Sequence, residues 1–240
     1  MFENLPLLRR GATGLGLSLD ESRYDLFETY YRELIDWNAR FNLTAVTDYD
    51  GVQVTHFLDS LSLAVAGIGF DNHRVIDVGS GAGFPGLPLK IAFPGIELTL
   101  LEAIGKKAVF LSHMAGILGL DGVSVVNLRA EEAARQPEHR ESYDIAVSRA
   151  VASLDTLCEL TLPFCRVGGW FIAMKKGSIE DEVESARKGI ALLGGCLRDV
   201  RAIEIDGLSD DRRLIVIEKI SPTPESYPRR NGLPSKRPLR

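Results

Sequence analysis

The residues best suited to binding chemistry are the glycines of segment 74–89, which reads RVIDVGSGAGFPGLPL. Residues 75–78 predict a short buried strand. Pro88 favours the first turn of a helix, because its fixed φ and missing N–H suit that position. A strand, a glycine loop and a helix in this order place backbone N–H groups and a helix N-terminus around an open space at the end of a sheet. We expect a ligand in that space.

Two classes of ligand fit the glycine loop. Gly81-x-Gly83-x-x-Gly86 matches the dinucleotide fingerprint, and Glu102 follows at roughly twenty residues, where either cofactor would present ribose hydroxyls to it. Asp77 lies inside the strand, where a carboxylate needs a partner. We expect it to face the pocket mouth, where it would repel a pyrophosphate and favour the ammonium and sulfonium of S-adenosylmethionine. The alternative is that Asp77 accepts N–H groups of its own loop.

The elements that must position these residues alternate along the chain. Together they predict an α/β fold with a doubly wound, mostly parallel sheet, helices on both faces and an antiparallel edge hairpin around Gly207. The predicted strands are 75–78, 97–101, 123–127, 143–148, 170–174 and the hairpin 196–205 with 213–219. The predicted helices are 106–118, 154–164 and 180–193. The carboxyl ends of the strands, where ligands bind in such sheets, supply Gly79, Glu102, residues 127–131, Arg149, Lys175 and Lys176.

Two helical segments precede this pattern. Ser18-x-x-Glu21 is a capping box, and aromatic residues at helical spacing predict a helix over 19–40. In segment 51–63, His56, Asp59 and Ser60 share one helical face. This polar trio either lines the pocket or forms a solvated face.

Composition excludes several classes of protein. The 240 residues suit one α/β domain with an appendage. The sequence shows neither an apolar run long enough for a membrane span nor a signal peptide, so we expect a cytoplasmic protein. The three cysteines lack CxxC spacing and the four histidines are scattered, which predicts reduced thiols and no metal site.

Charge is distributed unevenly. The net charge is −5, whereas residues 221–240 alone carry +4 and five prolines. This composition predicts a disordered basic tail that either neutralises phosphates or is merely solvated. We therefore divide the chain into an N-terminal helical extension (1–66), an α/β domain with the predicted S-adenosylmethionine site (67–220) and the tail (221–240).

Several short motifs in order carry a family resemblance. They are Trp37-Asn38, Asn42-Leu43-Thr44, His56-Phe57-Leu58-Asp59-Ser60, the loop 77–86, Arg129-Ala130-Glu131-Glu132 and Ser148-Arg149-Ala150. Over residues 37–182 the chain resembles the bacterial small-subunit ribosomal RNA guanine-N7 methyltransferases, once called glucose-inhibited division protein B. The resemblance implies a class I methyltransferase fold, S-adenosylmethionine as donor without a metal, and a guanine of 16S RNA as acceptor.

The resemblance also assigns site residues. It places donor contacts on Gly79, Phe84, Ala130, Glu131 and Arg149, and Glu102 is similar to the acid that holds the ribose. The family has one lysine before a glycine after its fifth strand, whereas this chain has Lys175-Lys176-Gly177. Either lysine fits that position.

The implied reaction explains why the sequence shows no catalytic triad. Guanine N7 carries a free lone pair, so attack on a sulfonium methyl needs alignment rather than a general base. We therefore assign His56, Arg149, Lys175 and Lys176 to positioning the base or its phosphates, and no residue to acid–base catalysis. The expected partner is 16S RNA or the small-subunit particle, with no DNA or membrane, and the expected state is a monomer.

Besides a non-catalytic RNA-binding module, against which the intact glycines and acids of the donor pocket argue, two alternatives stay open at this stage. The first is a methyltransferase that acts on another RNA, a small molecule or a protein, because fold and donor loop do not define the acceptor. The second is a nicotinamide-dependent oxidoreductase, which the literal glycine spacing supports but for which no proton donor is evident.

Overall fold

A computed structural model describes residues 4–149, 152–205 and 211–239. The strands are β1 (Arg74–Val78), β2 (Glu97–Leu101), β3 (Val123–Val126), β4 (Tyr143–Arg149), β5 (Cys165–Lys176), β6 (Gly195–Ile203) and β7 (Arg212–Lys219). The α-helices are α1 (Pro6–Gly14), α2 (Glu21–Phe41), α3 (Tyr49–Val52), α4 (Asp59–Leu61), α5 (Gly86–Ala92), α6 (Gly105–Ile117), α7 (Ala130–Ala133), α8 (Leu154–Thr161), α9 (Glu180–Leu192) and α10 (Leu233–Lys236). A π-helix (Gln53–Leu58) joins α3 to α4, and 3₁₀ turns cover Ser62–Ala66 and Leu162–Phe164.

One seven-stranded sheet organises the domain, with strand order β3-β2-β1-β4-β5-β7-β6. β1 pairs in parallel with both β2 and β4, whereas β7 is antiparallel to β5 and β6. The predicted doubly wound sheet with an antiparallel edge hairpin is confirmed. Strand order reverses direction at β1, so the loops after β1 and β4 diverge there and open a crevice.

Successive residues of the buried strands face opposite sides of this sheet. Val75 belongs to the cluster that also contains Phe27 and Tyr30 of α2, whereas Ile76 belongs to the cluster formed with α8 and α9. Because α2 shares a core with one sheet face, the predicted N-terminal extension is packed as part of the same core.

The N-terminal elements differ from the prediction in detail. Helix α2 begins at Glu21, and Asp20 rather than Ser18 caps it by accepting the Arg23 N–H at 3.0 Å. Helix α1 was not predicted, because its residues Gly11 and Gly14 lower helix propensity. In the fold Gly11 has a packing role, since a Cβ there would lie 2.4 Å from a Leu58 methyl carbon.

The prediction of a disordered tail is wrong for residues 221–239. Arg140 donates to the carbonyls of Thr223 and Tyr227, each at 2.9 Å. Arg229 pairs with Glu159 at 2.5 Å. The domain thus pairs with the Arg229 cation and donates to backbone carbonyls of the proline-rich segment. The predicted turn at Gly207 lies outside the described residues.

The sequence also led to expectations for the cysteines, for membrane-spanning helices and for metal ligands. All three cysteines are free, two of them buried. Within the described ranges no helix has the length and apolar character needed to cross a bilayer. In the same ranges no three His, Cys, Asp or Glu side chains cluster as metal ligands would.

Candidate functional site

A cavity of about 600 Å³ opens at the carboxyl ends of β1, β2 and β4. The loop after β1 forms its floor through Gly79, Ser80, Gly81 and Ala82, and Phe84 forms part of one wall. Pockets that enclose small ligands span about 300–1,000 Å³, so the volume suits a cofactor. The space lies where the strand–loop–helix pattern predicted it.

The loop after β1 has a backbone that alternates through the left-handed region. Gly79, Gly81 and Gly83 have φ values of 79°, 60° and 95°. Gly83 also has no room for a side chain, because a Cβ would lie 2.5 Å from both Leu87 Cδ1 and Tyr30 Oη. Gly83 therefore packs the loop against the helical layer. Contrary to the prediction, it is not among the residues that line the cavity.

The expectation that Asp77 faces the pocket mouth is wrong. Its side chain is fully buried beneath the loop, and Oδ2 accepts the Gly86 N–H at 2.9 Å. Oδ1 has no hydrogen-bond partner, and burial raises the pKa of Asp77 to about 7. The alternative interpretation is the correct one: Asp77 ties its own loop to the first turn of α5.

Glu102 joins the two loops that flank the cavity. Its Oε2 accepts the Gly81 N–H at 2.9 Å and its Oε1 accepts the Ile104 N–H at 2.7 Å. The side chain is buried, yet it lines the cavity. A carboxylate has about four acceptor positions, so two N–H donors leave capacity for ligand hydroxyls.

An aromatic stack forms part of the cavity wall. The His56 ring stacks on Phe84 with centroids 4.6 Å apart, and Tyr30 stacks on Phe84 at 5.3 Å. The Arg149 guanidinium lies 5.0 Å from the Phe84 centroid. His56, Phe84 and Arg149 all line the cavity, so three predicted site residues meet there.

Hydrogen bonds define the protonation state of His56. Nδ1 lies 3.1 Å from the Thr55 carbonyl, which can only accept, and 3.5 Å from Arg149 Nη2, which can only donate. The shorter contact assigns the proton to Nδ1. Nε2 lies 2.7 Å from the Thr44 hydroxyl, which accepts the Val46 N–H and donates to the ring. Burial, reinforced by the nearby Arg149 cation, lowers the pKa of His56 to about 4. The ring is therefore neutral at physiological pH.

Arg149 is held by a buried carboxylate. Its Nη1 donates to Asp59 Oδ2 at 2.8 Å and to the Thr55 carbonyl at 2.9 Å. Arg212 approaches the other oxygen of Asp59 at 3.5 Å. Asp59 is only 2% exposed. Its carboxylate compensates the charges of Arg149 and Arg212 at the edge of the cavity. Thus Asp59 supports the wall and is not solvated.

The remaining wall follows β3. Leu128, Arg129, Ala130 and Glu131 line the cavity in succession. Glu131 is 7% exposed, and its Oε1 accepts the Gly232 N–H at 2.8 Å. The structure therefore brings Ala130 and Glu131 into the site, as the family resemblance implied.

The lysine pair lies apart from the cavity lining. Lys175 forms an ion pair with Glu182 at 2.6 Å and donates to the Ala152 carbonyl at 2.8 Å. Lys176 follows it at the end of β5, opposite Arg212. The ion pair between Lys175 and Glu182 therefore connects β5 to α9.

Several lining residues were absent from the predicted site. They include Leu43, Thr44, Ile104, Lys107 and Leu160. Ile104 and Lys107 follow β2 directly, so the strand-end rule that selected Glu102 could have found them. Leu160 gave no local signal, because it lies within an apolar helix whose face toward the cavity depends on packing.

Known proteins resemble this chain in sequence and in fold. The family described as rRNA small subunit methyltransferase G matches residues 23–213. Ribosomal RNA small subunit methyltransferase G of Dehalococcoides mccartyi is 55% identical over 229 residues, which cover 95% of this chain and 97% of the relative. That of Roseiflexus castenholzii is 51% identical, covering 97% and 98%. The crystal structure of M. jannaschii TYW2 in complex with AdoMet shares the fold, with a TM-score of 0.51, 18% identity and coverage of 64% and 72%.

Proposed function

The chain belongs to the rRNA small subunit methyltransferase G family, and from this premise we propose that its cavity binds S-adenosylmethionine and presents it to N7 of a guanine in 16S rRNA. As a member of this family, the chain is an S-adenosylmethionine-dependent methyltransferase of 16S rRNA. The assignment of individual residues and of N7 as the acceptor atom is the part we infer.

The residues around the cavity fit the donor. Glu102 presents a buried carboxylate with free acceptor positions, which suits the two ribose hydroxyls. Ile104, Leu128 and Leu160 provide apolar surface for a purine. Gly79 and Gly81 bring the backbone of the loop to the floor of the cavity, where a side chain would keep the ligand away.

When bound, the donor supplies an electrophilic methyl group on a sulfonium. Guanine N7 has a lone pair at neutral pH, so the protein has no proton to remove. Its contribution is to align the two reactants, which can lower a barrier by about 7–11 kcal/mol. The neutral His56, with Nδ1 and Nε2 both engaged in hydrogen bonds, agrees with a positioning role rather than a general base.

Charge at the wall also fits this chemistry. The guanine ring gains positive charge as it is methylated, so an unpaired cation beside N7 would oppose the reaction. Asp59 compensates Arg149 at 2.8 Å, and this pairing lets a guanidinium lie near the acceptor without that cost. We propose that Arg149 and His56 hold the base. Lys107, which lines the mouth, contacts the RNA backbone.

The observation that carries the proposal is the position of Glu102. Its carboxylate accepts an N–H from each of the two cavity loops and still lines the cavity. The experiment is methyl transfer from labelled S-adenosylmethionine to 16S rRNA and to assembled small subunits, followed by mapping of 7-methylguanosine. The expected product is one 7-methylguanosine in 16S rRNA. Methyl groups on another atom would overturn the N7 assignment, and fluorescence of bound NADH without methyl transfer would favour the oxidoreductase.

A further inference from the structure

Residues 221–239 form a strap across one side of the domain. It leaves the end of β7, crosses α7 and α8, and ends where Leu239 lies against Gly189 of α9. The buried Lys219 holds its start by donating to Thr223 Oγ1 at 2.5 Å. The strap therefore has a defined position relative to the cavity.

The strap touches a residue of the cavity wall directly. The Gly232 N–H donates to Glu131 Oε1 at 2.8 Å, and Asn231 Nδ2 donates to Glu132 Oε1 at 2.5 Å. Glu131 lies in the first turn of α7, a helix of only four residues. A helix this short is not stable in isolation, so its side chains are oriented by contacts with other segments. The Gly232 bond thus supplies orientation that α7 alone lacks.

A second anchor connects the strap to α8. Glu159 is fully buried and accepts from the Arg229 backbone N–H at 2.8 Å and from the Arg229 guanidinium at 2.5 Å. Its neighbour Leu160 lines the cavity. Arg229 and Gly232 are close in sequence, so one segment links the two helices that bear Leu160 and Glu131.

We propose that the strap positions Glu131 for the methyl donor, acting through the Gly232 N–H bond to Oε1. This inference rests on the proposed donor site. One carboxylate oxygen accepts from the strap, so the carboxylate cannot rotate freely, and Glu131 lines the cavity in a fixed orientation with acceptor positions left for a ligand. Gly232 is a positioning residue, and Glu131 is the residue that meets the donor.

Gly232 offers a clean substitution. Its φ is 74°, and a Cβ at this position meets no atom within 4 Å. A side chain here therefore changes only the backbone preference. Asparagine tolerates the left-handed region, whereas valine does not. Gly232→Asn keeps the N–H direction and Gly232→Val disturbs it.

The test measures S-adenosylmethionine binding to the full chain by calorimetry. Gly232→Val should raise Kd by about five- to tenfold, less than the loss of a direct hydrogen bond between ligand and charged group, because the strap acts on the donor only through Glu131. Gly232→Asn and the exposed control Arg230→Ala should stay within about twofold. In turnover assays, Gly232→Val should raise KM for the donor and leave kcat unchanged. An unchanged Kd in a folded Gly232→Val protein would overturn the proposal.

A double-mutant cycle shows whether the strap acts through Glu131. Glu131→Ala should weaken donor binding, and adding Gly232→Val to it should cause no further loss. Additive losses would overturn the proposal, as would normal donor affinity in Glu131→Ala. Wild-type protein that binds no S-adenosylmethionine would instead refute the proposed function.

Hydrogen exchange provides a measurement on the wild-type chain, in case Gly232→Val does not fold. Coupling between donor and strap is reciprocal, so donor binding should slow exchange of the Gly232 amide by about fivefold. The Ala191 amide in α9 serves as the reference. No change at Gly232 upon donor binding would overturn the proposal.

Discussion

The Glu102 carboxylate accepts the Gly81 N–H at 2.9 Å across the mouth of the crevice, so the end of β2 holds the loop that follows β1. The same carboxylate accepts the Ile104 N–H at 2.7 Å. The acid proposed to bind ribose is therefore also a structural tie of the loop. Its removal has two separable consequences, one for the donor and one for the fold.

Glu102→Ala should weaken S-adenosylmethionine binding by about 1–3 kcal/mol and also lower the melting temperature, because two loop N–H groups lose their acceptor. Calorimetry measures the first effect and a thermal melt the second. Glu102→Gln is the matched control, since its single carbonyl oxygen keeps one of the two N–H bonds. A donor affinity equal to that of the wild type in Glu102→Ala would remove this residue from the site.

Gly81→Val should abolish donor binding while the protein stays folded. The nearest protein atom to a Cβ at Gly81 is 3.9 Å away, so the loop itself has room, and the obstacles are the φ of 60° and the space that the donor needs. A β-branched residue avoids this region, whereas asparagine adopts it. Gly81→Asn should therefore bind the donor more tightly than Gly81→Val in the same titration. Equal affinities of the two variants would contradict the conformational reason.

His56 should make stability rise with pH between about 4 and 6.5. Its pKa is about 4 in the folded chain and near 6.5 when unfolded. The unfolded state therefore binds more protons in that window, and the contribution is complete above it. Urea unfolding at pH 4.5 and pH 7 should show wild type gaining about 1–3 kcal/mol over His56→Gln. A pH-independent difference would mean that the ring is not held neutral.

Asp77 should act in the opposite direction over nearly the same window. Burial raises its pKa to about 7, so the folded state retains a proton that the unfolded state loses near pH 4. The stabilisation is present at low pH and is lost as pH rises toward 7. Asp77→Asn should therefore gain about 1–3 kcal/mol relative to wild type between pH 4.5 and pH 7.5, measured by urea unfolding. A relative loss would show that the buried carboxylate is stabilised as an anion.

Arg229→Ala should destabilise the chain by about 2–4 kcal/mol, because it leaves the buried Glu159 carboxylate without its cation. The double variant Arg229→Met with Glu159→Met should recover most of that loss, since no charge remains buried. Chemical denaturation of both variants provides the comparison. A loss below about 0.5 kcal/mol in Arg229→Ala would show that the pair resembles an ordinary surface ion pair.

Local patterns in the sequence were sufficient for the architecture and for part of the site. Alternating apolar strands and helical segments predicted the doubly wound sheet, because backbone periodicity depends on neighbouring residues. Gly79, Gly81 and Glu102 were found in the same way, since the strand-end rule follows from topology. His56 and Arg149 were selected as a polar face and a strand end, and the structure joins them through Phe84.

Tertiary packing alone decided the partners of the charged groups. Asp77 lies beneath its loop and accepts the Gly86 N–H. Lys175 pairs with Glu182, and Arg229 pairs with Glu159, which is seventy residues away in the sequence. Composition made 221–239 look disordered, because it counts charge and proline without the buried Glu159 that pairs with Arg229 or the Arg140 guanidinium that donates to the tail's carbonyls. Burial and long-range hydrogen bonding depend on which elements meet in space. That information belongs to the assembled sheet and its helices.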